Sequence, residues 1–474
     1  MNNNTPLHDL SAQELAGKIQ KREVTSVALT EHFLDRIQKY NPDFSAFTTV
    51  FSEKALVMAE NADRLFNAGI ILSPFHGVPV SIKEHFQWEG SVAHYGSKAR
   101  LGCISQVNSQ VVDRLIALGM PILGKTAMTE FAFGLAGQNP TMGTAHNPWC
   151  LDSLRSPGGS SAGAGVALAL GLCPIALGGD TGGSVRAPAA HTYNVGFKPS
   201  SGMISRANAM ALSPTLDVVG VISRTVKDSE IMTELLTFPD IHDPLTLSKL
   251  GLTAQRQFLL NHQLPIASKK LYYLAEAAWP MAVNEDYAFY WQQTLKQLQM
   301  DGYTLIEWQP HDVEYFKSLG DYNSMILAHE AYEIFGEIAE DPTADLWLTV
   351  RNRILNGKEI TESQYQEALD YRAECQSLFQ EQFPENAVLL MPAMDQSAQE
   401  LDFDDLVHSG LGAFLRPANF IDCPAITIPS GLDREYMPLS IQLLARTAED
   451  RQLLQMAAKV EASLGNTREV PKVS

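Results

Sequence analysis

Ser156–Pro188 reads SPGGSSAGAGVALALGLCPIALGGDTGGSVRAP. It holds two glycine-rich turns, Gly158–Gly165 and Gly178–Gly183, and each delivers a serine, Ser160 and Ser184. Between them Val166–Ile175 is apolar and far shorter than the ~20 residues of a membrane span. Glycine suits backbone at positive φ, or backbone that must lie against a ligand. Successive N–H groups in such a turn cradle negative charge. A serine at the end of that cradle is placed to attack a carbonyl whose oxygen the same groups stabilise. Either turn alone reads equally well as packing around a buried helix and strand. Two of them, each presenting a serine, with a lysine upstream at the end of an apolar strand, read as chemistry.

The chain has 474 residues, 45% of them hydrophobic, enough for a large core. The N-terminal MNNNTPLHDLSAQELAGK lacks the charged-then-apolar layout of a signal peptide. Five scattered cysteines, Cys103, Cys150, Cys173, Cys375 and Cys423, include no CxxC pair, so neither a disulfide framework nor a zinc site is expected. A reducing, cytoplasmic setting follows, with no membrane association. A net charge of −19 argues against a phosphate-binding surface and hence against direct nucleic-acid binding.

Working outward from the serines, residues 10–40 read as two amphipathic helices, the second capped by Thr25 or Ser26 and ended by Asn41-Pro42. Ala55–Ala68 is a third helix. Phe75–Glu84 (FHGVPVSIKE) is short and β-branched, hence strand-like, with Lys83 at its end. Asn108–Leu118 is a helix stopped at Gly119, and Pro121–Gly124 a brief strand. Further strands are expected at Lys269–Ala275, Ala387–Met391, Ala425–Pro429 and Leu439–Leu444. Helices are expected at Val226–Leu236, Tyr287–Gln299, Glu362–Phe383 and Ala448–Leu464. Such alternation indicates an α/β fold with a large mixed central sheet covered by helices on both faces. With no repeat or linker, residues 1–474 read as one domain, in which about 240–385 is a more variable, largely helical part that shapes the substrate pocket.

Three motifs compete. Gly119–Thr126 (GMPILGKT) satisfies the P-loop expression, but a helix precedes it and its variable residues are apolar, a buried strand rather than a phosphate cradle. Gly159–Gly163 satisfies the GxSxG elbow of esterases. That elbow wants a strand immediately before it, and LDSLRSPGG is not one. The downstream histidines His191, His242, His262, His311, His329 and His408 share no signature. No metal-ligand set or nucleotide loop remains, so no cofactor is expected.

The third pattern uses both serines and Lys83. GGSSAGAG (158–165) and GGDTGGSVRAPAA (178–190) resemble the amidase signature family, and the two serines stand 24 positions apart, as in that family. GVPVSIK (77–83) is similar to its catalytic-lysine strand. GKTAMTEFAFG (124–134), NPW (147–149), GFKPSSGMISR (196–206) and SPTLDVVGVISRTVKD (213–228) follow in family order, as do PANFIDCPAITIPSG (417–431) and PLSIQLLAR (438–446). The likeness covers most of 10–240 and 385–465. Ala162 and Ala164 depart from the family's glycine and serine, and LLMPAMDQSA (389–398) from its usual block.

The resemblance implies Ser184 as nucleophile, Ser160 as bridging serine preceded by a cis peptide, and Lys83 as base. It implies an oxyanion hole from the backbone amides of Thr181, Gly182 and Gly183, with that of Ser184, and loop support from Ser161, Asp180 and Arg186. The expected reaction hydrolyses an amide of a small molecule to acid plus ammonia or amine, through an acyl-enzyme. Serine is a poor nucleophile until a neighbour takes its proton, and lysine can do so only where burial lowers its pKa from ~10.4. The family includes the glutamine-hydrolysing chains of the glutamyl-tRNA(Gln) amidotransferase, its A subunits, which serve a partner subunit. These carry a tyrosine-rich segment where this chain has TESQYQEALDYRAE (361–374), so a stand-alone amidase is the first expectation and the amidotransferase chain the alternative. A GxSxG esterase is a second alternative. A homodimer is compatible with either.

Overall fold

The computed structural model describes residues 5–260, 269–401, 410–465 and 469–473. Within them lie eleven strands: β1 (Phe47–Val50), β2 (Val80–Lys83), β3 (Ile122–Thr126), β4 (Ile175–Asp180), β5 (Val195–Lys198), β6 (Val218–Ser223), β7 (Lys270–Leu274), β8 (Thr304–Trp308), β9 (Leu389–Pro392), β10 (Ala425–Leu432) and β11 (Pro438–Leu444). They form one sheet in the order β1-β3-β2-β4-β6-β5-β10-β11-β9-β7-β8. β2 runs parallel to β3 and β4, while β4, β6, β5, β10, β11 and β9 are successively antiparallel. The large mixed sheet with helical cover is the fold expected from the sequence.

The middle of the chain is not only cover. β7 and β8 pair in parallel and extend the sheet past β9. The alternating KLYYL of β7 was legible as a strand; the half-exposed TLIEW of β8 was not. The first helices are Ala12–Gln20, closed by a Ser11/Glu14 capping box, and Ser26–Phe44, capped by Thr25. The second continues past Asn41-Pro42. The missing Pro42 N–H falls in the last turns, and the Asn41 side chain compensates by bonding both the N–H and the C=O of Phe47.

The P-loop-like segment is β3, buried along its length. Lys125 Nζ donates to Val92 O at 2.6 Å and lies 3.5 Å from Glu84, so it is held away from any phosphate. The helix Ala162–Ala169 is buried all round. A Cβ on Gly163 would stand 2.1 Å from Ala46 O and 2.4 Å from Ala127 N, so only glycine lets this helix lie against the backbone at the end of β3. That contact fixes the Ser160 turn, at the helix's start, over the central strands.

Candidate active site

Because β2 and β4 are parallel neighbours, with Ile82 opposite Leu177, their carboxyl ends open on the same side. Ligands of α/β sheets bind in the crevice outside such ends. β2 ends on Lys83 and β4 on Asp180, so the base candidate and the Thr181–Ser184 turn emerge side by side. The Ser160 turn enters from the next layer. Gly158 has φ +71°, and a Cβ on it would lie 2.5 Å from Ala187 O; one on Gly159 would lie 2.6 Å from Gly137 N. Both glycines are therefore required by close backbone approach. The Gly159–Ser160 peptide is cis.

Lys83 Nζ donates to Ser160 Oγ at 2.7 Å. Both side chains are buried, Lys83 at 1% exposure and Ser160 at 0%. Burial lowers the Lys83 pKa from 10.5 to about 7, against the opposing pull of the Asp217 and Asp180 carboxylates. A lysine so placed is substantially neutral at neutral pH and able to take a proton. Ser184 is 3% exposed. Its carbonyl accepts from Ser161 N–H at 3.2 Å, which ties the two serine turns together. Its hydroxyl makes no hydrogen bond among the described residues, so the structure brings Lys83 to Ser160 but does not join Ser160 to Ser184.

Asp180 and Arg186 bond to each other and across the Ser184 turn. Asp180 accepts from the amides of Gly183 (2.8 Å) and Val185 (3.1 Å), and from Arg186 Nε (3.0 Å) and Nη2 (2.9 Å). Burial pushes the Asp180 carboxyl up, but Arg186 outweighs it and holds the group well below the usual carboxylate range. Gly183 N–H is thus engaged by the loop's own carboxylate and is not a free oxyanion donor, a correction to the sequence expectation. The amides of Gly182 and Ser184 carry no hydrogen bond among the described residues. Thr181 Oγ1 donates to Asp217 Oδ1 at 2.5 Å. Ser161 Oγ reaches Gly179 O at 3.5 Å, and a Cβ on Gly178 would lie 2.6 Å from it, a spacer between the turns.

Several contributors escaped the sequence reading. Arg186 also donates to Leu415 O (2.8 Å), Gln442 Oε1 (2.6 Å) and Asn419 Oδ1 (2.6 Å), while Asn419 Nδ2 returns to Asp180. Both amide side chains sit in the C-terminal blocks PANF and SIQLL, whose likeness to the family assigned neither residue a role. Asp217, in SPTLDVVG, accepts from the amides of Leu212 and Ser213 as well as from Thr181. Beside Lys83, His85 is held well below its ordinary pKa by burial, then by the Lys83 and Lys125 charges, and so is neutral. A cavity of about 180 Å³ lies against Lys83, His85, Thr181, Met210, Leu212 and Asp217.

No histidine among the described residues hydrogen-bonds Ser160 or Ser184. His191 pairs instead with Ser156 Oγ at 3.1 Å, and His262 and His408 lie outside the described residues. The loop before Ser160 is not a strand, so the esterase elbow has neither its strand nor its base. Among the described residues no three side chains are grouped to hold a metal ion, and no helix is long and apolar enough to cross a membrane.

The family model described as Amidase matches residues 28–454. The A subunit of the glutamyl-tRNA(Gln) amidotransferase from Renibacterium salmoninarum is 31% identical, over 97% of this chain and 94% of its own length. Its counterpart from Ehrlichia canis is 31% identical, over 96% and 98%. Among solved structures, a crystal structure of an amidase superposes with TM-score 0.82 at 25% identity, covering 96% of this chain and 99% of the other. A bacterial aryl acylamidase superposes with TM-score 0.83 at 20% identity, covering 98% and 100%, a likeness of fold. Sheet order, the paired serine turns and the match across 28–454 agree: this chain belongs to the amidase family, the amidase signature enzymes.

Proposed function

We propose that the protein hydrolyses a carboxylic acid amide at its C–N bond, with Ser184 as nucleophile. The observation that carries this is the buried 2.7 Å contact between Lys83 Nζ and Ser160 Oγ, with Lys83 lowered to about 7. Neutral Lys83 takes the Ser160 proton as Ser160 takes that of Ser184. Ser184 Oγ then bonds to the amide carbon, and the oxyanion is met by the free amides of Gly182 and Ser184, with Thr181 as a third donor. The proton returns through Ser160 to the leaving nitrogen, ammonia or amine departs, and water releases the acid from the acyl-enzyme by the same relay.

For the substrate, the curated relatives favour glutamine, hydrolysed for a partner subunit, over the stand-alone amidase that the sequence led us to expect first. The stand-alone reading keeps one specific support, the absence of the tyrosine-rich segment at 361–374. Ammonia release from glutamine and from aliphatic and aromatic amides, with Ser184→Ala as the blank, tests both. Release that is lost in the variant supports the hydrolase, and glutamine against free amides separates the two readings. Wild-type turnover by Ser184→Ala would sink the assignment.

A further inference from the structure

His85 lies just past the base in the chain, and the fold buries its ring without giving it a hydrogen bond. The residue is 6% exposed, and its Nδ1 is buried with no partner. Among the described residues neither ring nitrogen is hydrogen-bonded. Only the backbone is engaged, His85 O accepting from Met210 N–H at 2.9 Å. The ring lies against Phe86, with centroids 3.9 Å apart at 45°. That contact accounts for a flat side chain here and would suit phenylalanine equally. It gives no reason for two nitrogens, and buried polar atoms of native folds are nearly always paired with protein or water. Gly179 makes room for them, since a Cβ there would stand 2.8 Å from His85 Nε2.

The ring faces the cavity that Lys83, Thr181 and Asp217 also line. Burial, then the Lys83 and Lys125 charges, keep it neutral, so it offers one acceptor and one donor. Asp217 Oδ1 accepts from Thr181 Oγ1 and has capacity for a second bond. Lys83 has the converse need. Its Nζ makes one hydrogen bond among the described residues, to Ser160 Oγ at 2.7 Å. To act as base it must reverse that bond, so that Ser160 O–H donates to the nitrogen lone pair. Both N–H groups of the neutral amine then point away from Ser160, and buried donors left unpaired are costly. Of the other charged groups nearby, Asp180 is bonded to Arg186, Lys125 to Val92 O beside Glu84, and Arg206, on the same cavity, to Asp243. His242 lines the cavity where it is exposed. His85 and Asp217 thus bring idle acceptor capacity to the wall where Lys83 has donors to place.

The geometry points to His85 as a positioning residue for the base: with Asp217 it holds a water in this cavity that receives the Lys83 N–H groups and turns the Nζ lone pair toward Ser160. A buried water needs about three polar partners, and Lys83, His85 and Asp217 supply them. The water is not a reactant; it stays while the proton passes between Ser160 and Lys83 in both directions. This deepens the hydrolase reading and rests on it for the use of the lone pair, whereas the contact between His85 and Lys83 through water stands without it. Asp217 acts on Lys83 by charge as well as by accepting. Neutral His85 acts by accepting alone, and its loss misdirects the base more than it discharges it.

The test reads the attack by Ser184 without needing the natural substrate. Sulfonylation by phenylmethanesulfonyl fluoride is followed by intact mass across about pH 5–10 in wild type, His85→Phe, His85→Asn and His85→Gln, with Ser184→Ala as the blank. Carbon NMR of lysine-labelled protein follows the Lys83 ε-carbon, identified by its absence from Lys83→Met, and gives the Lys83 titration directly. His85→Phe should lower the plateau rate above the inflection by about 10- to 100-fold, the worth of a hydrogen bond to a charged group. It should also move the Lys83 titration to lower pH, because the ammonium loses an acceptor. His85→Asn or His85→Gln should regain part of the plateau, which a purely structural role for the ring would not allow. Should melting show that His85→Phe folds poorly, His85→Leu takes its place. A plateau left at the wild-type level by His85→Phe, or lowered equally in all three variants, overturns the proposal. If Ser184 is not sulfonylated and no amide is turned over, the hydrolase reading falls instead. A Lys83 titration lowered in His85→Phe then still upholds the contact through water, and one left unchanged overturns it.

Discussion

Asp180 and Arg186 form a two-pronged ion pair in which neither side chain is exposed to solvent. Removing one partner of such a pair strands the other charge in the interior, at a cost of ~3–5 kcal/mol. Asp180→Ala should therefore lower the unfolding free energy by that amount, and the turn that presents Ser184 should lose its order and its activity together. Arg186→Met, of similar length, leaves Asp180 its bonds to the Gly183 and Val185 amides and should cost less. Urea titrations of the two variants decide the ranking. Because folded Asp180 keeps its charge to lower pH than the unfolded chain, its contribution is complete above about 3.8 and fades as pH falls below that.

Lys83 has the opposite linkage. Its folded pKa of about 7 lies below the 10.5 of the unfolded chain, so between those values the unfolded state binds the extra proton and stability rises with pH. Below pH 7 the full cost of holding an ammonium in the interior is present, on the order of 5 kcal/mol for such a shift. Lys83→Met should abolish turnover yet raise stability at pH 6 more than at pH 10, even after ~1–3 kcal/mol for leaving Ser160 unpaired. Thermal melts at the two pH values give the comparison; a variant destabilised more at pH 6 than at pH 10 would contradict it.

The same pKa sets the activity profile. kcat/KM should rise with pH through an inflection near 7 as Lys83 loses its proton. Asp217 holds that proton on, so Asp217→Asn should move the inflection to lower pH while weakening the Thr181 contact. A pH–rate profile unchanged in Asp217→Asn would show that the carboxylate does not act on Lys83.

Two glycines offer a paired stability test. Gly163→Ala drives a Cβ to 2.1 Å from Ala46 O in a fully packed layer and should cost more than the ~1–3 kcal/mol typical of overpacking. Gly17, inside the helix Ala12–Gln20, has open space where its Cβ would be, so Gly17→Ala should stabilise by roughly 0.5–1 kcal/mol. Melting temperatures moving in the same direction for both would refute the packing argument.

What the sequence made legible was local. The strand ending on Lys83, the paired serine turns and the helix Val226–Leu236 lie where glycine placement and periodicity put them. Arg186 meeting Asn419 and Gln442 joins residues more than 200 positions apart, and no local pattern encodes such a meeting. The helix Tyr315–Glu340 escaped because it is packed on several sides, with buried residues from Tyr315 to Ala339 that follow no single stripe. Asn323 and Glu330 ride on it. Glu330 accepts hydrogen bonds from Ser213, Thr215 and Tyr365, holding the loop that leads to Asp217. Gly183, an oxyanion donor by the family resemblance, is engaged because the Asp180 carboxylate three residues earlier accepts its N–H.

The bonds from Arg186 to Leu415, Asn419 and Gln442 also set a timetable for biosynthesis. Lys83, Ser160 and Ser184 leave the ribosome when less than half of the chain exists, yet the partners that hold Arg186 in the Ser184 turn arrive only with the last part of the sheet. A nascent chain cut short before Gln442 carries Lys83, Ser160 and Ser184 and lacks part of the frame that holds the Ser184 turn. On the proposed hydrolase reading, activity should appear only once translation is nearly complete.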